Sequence, residues 1–280
     1  MDKNCTKIGI GSFTFRYAIG IKDCMPDRPM TPIDFIDAAS NLGFNTIQLC
    51  ENLKYAEYNT DSVISFAEKA KESNLIVELG MYGLTYDNLK KHIEIAKIFN
   101  SKFIRIVIGD LSDNHNIDRS YRMAIETISS IIEECKKRDI VIGLENHFDL
   151  PTPYILKILK EINDPYVGAV YDTTNAINFI ERPEHTLELL LPYIKSVHLK
   201  DYQLKKAEAS IVMSGRILGE GQLNSKEILK TVLTANPKAS VIMEMTIRRR
   251  EGLSSEQVVL EEKLQIEKSA RYLKNLMVSF

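Results

Sequence analysis

Short apolar runs alternate with amphipathic segments along the whole chain. Runs of about five residues, the usual length of a strand, predict eight strands at residues 7–11, 45–50, 75–80, 103–108, 140–145, 167–172, 194–199 and 240–245. Apolar residues recur at helical spacing after each run, which predicts helices at residues 32–41, 60–73, 86–99, 118–138, 152–162, 183–191, 224–235 and 255–277. Helix start signals agree, because Thr31 precedes Pro32, and Ser254 stands three residues before Gln257 as in a capping box.

This alternation of strands and helices predicts the fold class. Strands that are apolar almost throughout, each followed by a helix, indicate a parallel sheet covered by helices. Eight such units in 280 residues suit a single (β/α)8 TIM barrel of class α/β, formed by one domain over residues 1–280. A doubly wound open sheet is the alternative. A nucleotide-binding sheet of that kind carries a glycine-rich turn after its first strand, and residues 9–12, GIGS, lack the third glycine.

Four predicted strands end on a side chain that is rarely buried without a partner. The runs IVIGLE, VGAVYD, IKSVH and SVIME end on Glu145, Asp172, His198 and Glu244. A buried carboxylate is costly unless it is paired or binds a metal. Because the carboxyl ends of all barrel strands open onto one face, we expect these four side chains to meet. Three carboxylates and an imidazole predict a divalent metal site, with Mn²⁺ expected and Mg²⁺, Co²⁺ or Zn²⁺ as alternatives.

Composition narrows the classes of partner. The formal net charge is −2, which argues against binding to nucleic acid or to an anionic membrane. No apolar run approaches the ~20 residues that span a bilayer, and residues 1–12 lack the apolar core of a signal peptide. The cysteines form no CxxC pair and stand at Cys5, Cys24, Cys50 and Cys135. We therefore expect a reduced, cytoplasmic protein that acts on a small molecule, with a homo-oligomer left open.

Five short motifs resemble those of one family. The motifs are GLENH (143–147), YDTTN (171–175), VHLKD (197–201), LGEGQLN (218–224) and VIMEM (241–245). They resemble the sugar phosphate isomerase/epimerase family of xylose isomerase-like TIM barrels, and the resemblance extends over essentially the whole chain. It implies that Glu145, Asp172, His198 and Glu244 bind the divalent metal. It also implies that Glu145 and Glu244 form the catalytic acid/base pair, on opposite faces of the substrate.

The same resemblance implies a class of reaction. An isomerase or epimerase would act on a small sugar, sugar phosphate or sugar acid through a cis-enediolate. The alternative is a metal-dependent lyase of the same fold, either a decarboxylase of a keto sugar acid or a dehydratase. A non-catalytic sugar-binding barrel is disfavoured because all four ligand positions are intact.

One position departs from the family pattern. Many members carry a histidine three residues after the metal-binding aspartate, and Asn175 stands there in this chain. This difference argues against a ketose 3-epimerase. The endonuclease IV branch uses several more histidines and aspartates to hold three zinc ions, whereas this chain has five histidines in all. DNA repair is therefore disfavoured.

Further polar side chains near the strand ends are expected to contact the substrate. They are Arg16, Glu51, Asn146, His147, Asn175 and Lys200. Lys200 shares the side-chain parity of His198, so it would face the cavity and bind a substrate oxyanion, or pair with Asp201. Arg16 lies in an aromatic loop that would close over a polyol or carboxylate, or pack at the surface.

Two pairs of residues outside this set also carry predictions. Arg105 and Glu78 lie inside neighbouring apolar strands, where we expect them to form a buried ion pair. Gly221 and Arg248 lie in the loops after the seventh and eighth strands. Barrels often bind phosphate there, although a charged run such as 248–250 is also typical of a solvated surface.

Overall fold

The computed structural model describes residues 6–109 and 116–280, so Cys5 and His115 lie outside the described residues. Eight parallel strands close into a barrel, each paired with its neighbours. Its strands are β1 Ile8–Gly11, β2 Thr46–Leu49, β3 Ile76–Tyr82, β4 Phe103–Val107, β5 Val141–Glu145, β6 Val167–Asp172, β7 Ile194–Leu199 and β10 Ser240–Met243. Closure through pairing of β1 with β10 excludes the open sheet and confirms the predicted (β/α)8 barrel.

The helices pack around the outside of this barrel. They are α1 Arg16–Ile19, α2 Pro32–Asn41, α3 Thr60–Glu72, α4 Tyr86–Phe99, α5 Ile117–Arg138, α6 Thr152–Ile162, α7 Pro183–Leu190, α8 Ser225–Ala235 and α9 Ser255–Met277. The predicted capping box is present at Ser254, and Thr31 caps α2 in the same way with Asp34. Within the described residues, no helix is both long and apolar enough to cross a membrane.

The segment between β7 and α8 contains two strands that the apolar pattern did not predict. No element was predicted between residues 199 and 224, and two antiparallel strands form there: β8 Asp201–Ala207 and β9 Ser210–Arg216. The carboxylate of Asp201 anchors the base of this hairpin by accepting hydrogen bonds from the backbone N–H groups of Gly219, Gly221 and Leu223. These tertiary contacts stabilise a hairpin whose own alternation of apolar and polar residues is weak.

The side chains of the barrel strands form two sets, one that faces outward to the helices and one that faces the barrel interior. Outward-facing residues such as Leu79, Ile106 and Leu144 are buried in the main apolar core beneath the helices. The inward-facing layer is more polar, and there Ser240 donates to Ser196 at 2.8 Å and Gln48 donates to Glu78 at 3.2 Å. A polar interior of this kind leads upward to the carboxyl ends of β5, β6, β7 and β10, where the predicted metal ligands lie.

Candidate metal centre

Three of the predicted ligands meet at the carboxyl ends of neighbouring strands. Glu145 ends β5, Asp172 ends β6, and His198 lies one residue before the end of β7. One ligand atom from each lies within 4.8 Å of the others, and all three side chains are buried. Because the strands are adjacent in the closed sheet, the barrel itself brings these three residues together.

Glu244 lies beside this triad. It directly follows β10, and its Oε1 atom is 3.5 Å from Nδ1 of His198. Oε2 of Glu145 is 3.4 Å from the same nitrogen. His198 therefore stands between the two glutamates, while Glu244 as the fourth metal ligand stays a prediction.

The donor set fits a divalent cation. Both ring nitrogens of His198 and Oε1 of Glu244 are buried and have no hydrogen-bond partner among the described residues. Buried polar atoms are nearly always partnered, and Oε1 of Glu244 and one ring nitrogen of a neutral His198 offer lone pairs to a cation. Carboxylates with one imidazole suit Mn²⁺, Mg²⁺, Co²⁺ or Zn²⁺. Glu145, Asp172 and His198 would hold such an ion, with Glu244 within reach.

Two buried cations surround these carboxylates. Arg105 on β4 donates from Nε to Glu145, and its Nη1 lies 3.2 Å from Oε2 of Glu51. Lys200, just after β7, places Nζ 2.7 Å from Oδ2 of Asp172 and 3.0 Å from Oε2 of Glu244. Each acidic side chain of the site therefore has a cationic neighbour.

The predicted pair of Arg105 with Glu78 is wrong. Arg105 lies opposite Gly80 in the register of β3 and β4, which sets it one layer above Glu78. Its guanidinium therefore reaches the carboxylates at the top of the barrel, while Glu78 accepts from Gln48 below. The alternative pair of Lys200 with Asp201 is also absent from the described ion pairs, since Asp201 accepts from backbone N–H groups.

The cations shift the pKa values of the site. Burial raises the pKa of Glu145. Arg105 and His198 lower it by more than burial raises it, so that the pKa lies well below its usual range. Burial likewise raises the pKa of Glu244, and Lys200 and His198 bring it below its usual value. Burial lowers the pKa of Lys200, and the facing carboxylates of Asp172 and Glu244 raise it above normal. Both glutamates are therefore held ionised, which prepares them for a cation and weakens them as bases.

Two asparagines hold the ligands in place. The Asn146 side chain donates to the carbonyl of Asp172 at 3.0 Å and accepts from its N–H at 2.8 Å, which clamps the ends of β5 and β6 together. Asn175 donates through Nδ2 to Oε1 of Glu145 at 2.9 Å. Oδ1 of Asp172 accepts from the N–H groups of Thr174 and Asn175, which orients that carboxylate.

A cavity of about 230 Å³ opens above the centre. Its lining brings together Arg16, His147 and Lys200, all predicted substrate contacts, with Arg105 and Glu244. Arg16 begins the short helix α1, so the segment after β1 is helical here. Glu51, the remaining predicted contact, is partly exposed and paired with Arg105.

The predicted anion site near helix α8 is not supported. The N–H of Gly221 already donates to the carboxylate of Asp201 at 3.0 Å, so an anion occupies that position within the chain. Arg248 is 84% exposed and lies near Glu251. Arg248 therefore behaves as part of a solvated surface.

The sequence matches a known protein family. A model of the family described as xylose isomerase-like TIM barrels matches residues 36–276. The chain belongs to this family. The predicted resemblance is thereby confirmed.

Individual relatives of this xylose isomerase-like barrel include enzymes of more than one kind. The chain is 22% identical over 227 residues to 3-oxo-isoapionate decarboxylase of Pectobacterium atrosepticum, with 80% of each chain covered. Its structure resembles that of D-psicose 3-epimerase in the presence of D-fructose, with a TM-score of 0.71, 14% identity and coverage of 96% and 99%. It also resembles a xylose isomerase-like TIM barrel protein of Mycobacterium smegmatis in complex with magnesium, with a TM-score of 0.69, 15% identity and coverage of 95% and 96%. At these identities the structural likeness shows the fold.

Sequence reasoning missed two residues of this xylose isomerase-like barrel. It placed Arg105 in a structural pair, although an arginine inside an apolar strand next to the ligand-bearing β5 was a signal of the site. It did not single out Asp149, whose Oδ2 accepts from the N–H of Gly109 and whose Oδ1 lies 3.6 Å from Nδ1 of His147. That contact depends on how two loops pack, and no local pattern announces it.

Proposed function

We propose that this protein is a divalent-metal-dependent enzyme that forms an enolate or enediolate from a small sugar acid. The observation that carries the proposal is the buried group of Glu145, Asp172 and His198, flanked by Arg105 and Lys200 beneath a cavity. When bound, the divalent ion supplies Lewis-acid stabilisation of negative charge on a substrate oxygen. We expect Mn²⁺ to be preferred, in keeping with the oxygen-rich donor set.

The cationic residues favour an acid as the substrate. Lys200 and Arg16 both line the cavity, and a planar guanidinium or an ammonium binds carboxylate oxygens well. The substrate-facing residues of the proposal are therefore Arg16, His147 and Lys200, with Glu51 at the edge through Arg105. Asn146 and Asn175 are assigned to holding the metal ligands, because their amides already bond Asp172 and Glu145.

Decarboxylation of a keto sugar acid is the reaction that these ion pairs favour. Loss of CO₂ breaks the bond between the carboxylate and the neighbouring carbon, and the electron pair passes into the adjacent carbonyl. No base needs to remove a proton from carbon, so glutamates weakened by Arg105 and Lys200 are no obstacle. The carbon that lost CO₂ then gains a proton, and we assign His147 as the donor because its imidazole lines the cavity. The relative named as a decarboxylase supports this order of preference, which reverses the one favoured by sequence alone.

Isomerisation or epimerisation is the second candidate. Glu145 and Glu244 stand on either side of Nδ1 of His198, at 3.4 and 3.5 Å. Two such carboxylates would remove a proton beside a carbonyl and return one at another position. For this chemistry Lys200 would have to leave Glu244 when the substrate binds.

One experiment tests the proposal and separates the two reactions. Purified protein is analysed for metal, reloaded with Mn²⁺, and incubated in deuterated water with keto sugar acids, ketoses and ketose phosphates. Release of CO₂ with one deuteron in each product molecule supports the decarboxylase, whereas deuterium in the product without CO₂ supports the isomerase or epimerase. Failure to bind any divalent metal would refute both.

We also propose a cytoplasmic location. The thiols of Cys24, Cys50 and Cys135 are free and buried. Free thiols in this number are ordinary in a reducing compartment. Fractionation of the native cells with an antibody against the protein tests this expectation.

A further inference from the structure

The β8–β9 hairpin carries apolar side chains in water on both of its faces. Ile211 is 72% exposed and Val212 is 52% exposed, and they point to opposite faces because they are adjacent in β9. Leu204 and Met213, a cross-strand pair on the face of Ile211, are also exposed. A hairpin that packs one face on the barrel exposes only its other face to water. Because both faces of this hairpin carry exposed apolar side chains, the barrel leaves both faces uncovered.

A groove runs between this hairpin and the segment that leads into α7 and includes its first two residues. Its volume is about 1070 Å³, and residues 177–184 form the wall opposite the hairpin. The crest of that wall is Ile180, which is 95% exposed. We call this space the hairpin groove, and its walls carry four exposed apolar side chains, those of Ile180, Leu204, Ile211 and Met213.

The hairpin groove is preformed. Asp201 fastens the base of the hairpin through three backbone N–H groups. Gly215 packs so closely on the backbone of Thr246 that a Cβ there would lie 2.4 Å from its carbonyl oxygen. A partner would therefore dock without the cost of ordering this segment.

The two walls carry opposite net charge. Residues 177–184 include Glu181, Arg182 and Glu184, and the hairpin carries Lys205, Lys206 and Glu208, so the net charges are −1 and +1. An interface across a twofold axis uses the same patch on both copies, so that patch must complement itself. An apolar centre between a wall of net negative charge and a wall of net positive charge meets this requirement.

We propose that the hairpin groove is the site where a second copy of this chain docks, in a reciprocal clasp. The hairpin of each copy enters the groove of the other. Ile211 and Met213 then pack between the two hairpins, and Val212 covers Ile180 of the second copy. Lys205, on the same face as Val212, lies against Glu184 of the second copy. In the clasp, one face of each hairpin packs on the other hairpin, and the opposite face packs on residues 177–184 of the second copy. Both faces are therefore covered, which does not occur within a single copy.

Sedimentation velocity at about 20 µM tests the clasp. The wild-type protein is expected at twice the 31.9 kDa chain mass. Val212→Asp and Ile211→Asp should each raise the dimer dissociation constant roughly tenfold or more. Leu260→Asp is the matched control, because Leu260 is 59% exposed on α9, and it should leave the constant unchanged. A monomeric wild type, or equal effects of all three variants, would overturn the proposal.

A charge swap gives an independent test. Glu184→Lys and Lys205→Glu should each dissociate, because like charges then face one another at both contacts of the dimer. Mixing the two variants should restore a dimer, since each contact again joins Lys to Glu. Circular dichroism confirms that both variants are folded, which is expected at exposed positions. If the mixture stays monomeric, the clasp is refuted.

Discussion

At the scale of single residues, the site is organised by charge pairing. Arg105 and Lys200 are buried at 2% and 7% exposure, and each pairs with a glutamate that lies next to His198, a proposed metal ligand. A buried ion pair is of uncertain net value for stability, but removal of one partner leaves an uncompensated charge. The importance of Arg105 therefore shows most clearly when it is replaced.

Arg105→Met is expected to destabilise the metal-free protein by about 3–5 kcal/mol, because Glu145 then stays buried without its cation. Denaturant unfolding in the presence of a chelator measures this loss. Arg138→Met is the control, since Arg138 pairs with Glu94 and Glu134 near the surface. Loss of these two partly exposed pairs should lower the free energy of unfolding by less than about 1 kcal/mol. Equal losses in the two variants would show that Arg105 does not compensate Glu145.

Gly11 makes room for the carboxylate of Glu244. A Cβ at this position would lie 2.9 Å from Oε1 of Glu244, closer than such atoms approach. Gly11→Ala should therefore displace the carboxylate and weaken Mn²⁺ binding by about tenfold or more, as supporting contacts of metal sites commonly do. Calorimetric titration with Mn²⁺ measures the affinity, and thermal unfolding without metal reports the cost to the fold. Unchanged affinity would place Glu244 outside the metal centre.

At the scale of elements, helix ends and strand ends decide where side chains stand. Glu262 in α9 accepts hydrogen bonds at 2.9 Å from the N–H groups of Tyr17 and Ala18 in α1. This contact holds α1, the helix that begins with Arg16, against α9, and so it positions one wall of the cavity. The same carboxyl is buried, which couples the contact to pH.

Stability should fall with rising pH because of Glu262. Burial raises its pKa from 4.5 to about 7, although the N–H donors of Tyr17 and Ala18 lower it. Since the folded-state pKa lies above the unfolded value, the stability it contributes is fully present below pH 4.5 and is lost as the pH rises through about 7. Between about pH 5 and 8 the wild type should lose roughly 2 kcal/mol more than Glu262→Gln. Urea unfolding of both proteins across this range checks the sign, and parallel curves would contradict it.

At the scale of the whole molecule, the proposed metal binding is expected to be linked to folding. The residues of the candidate triad come from β5, β6 and β7, so they meet only when the barrel is closed. A ligand that binds the folded state alone stabilises it by about 2.7 kcal/mol at a concentration one hundred times its dissociation constant. This linkage provides a test that needs no substrate.

Mn²⁺ is therefore expected to raise the melting temperature of the wild type, and a chelator should reverse the shift. His198→Ala should abolish most of the increase, because it removes a ligand of the triad. His185→Ala is the matched control, since His185 is 60% exposed in helix α7 and is not part of the triad. A shift that survives in His198→Ala would place the metal elsewhere.

Local pattern determined much of this protein. The apolar period predicted every barrel strand and each long helix to within about two residues, because both faces of these strands and one face of each helix are buried. Polar residues at strand ends predicted the triad, since burial makes an unpartnered carboxylate costly. Motif resemblance supplied the family, and the family model agrees.

Only the tertiary structure decided the remaining features. The register of β3 and β4 places Arg105 beside Glu145 and above Glu78. Register determines how far along the barrel axis each side chain lies, and the sequence alone does not give the register. The amides of Asn146 and Asn175 became supports for ligands instead of free contacts. The hairpin formed where no strand was predicted, because Asp201 and three N–H groups after β9 stabilise it. In each case the deciding interaction joins residues far apart in sequence, so no local pattern could encode it.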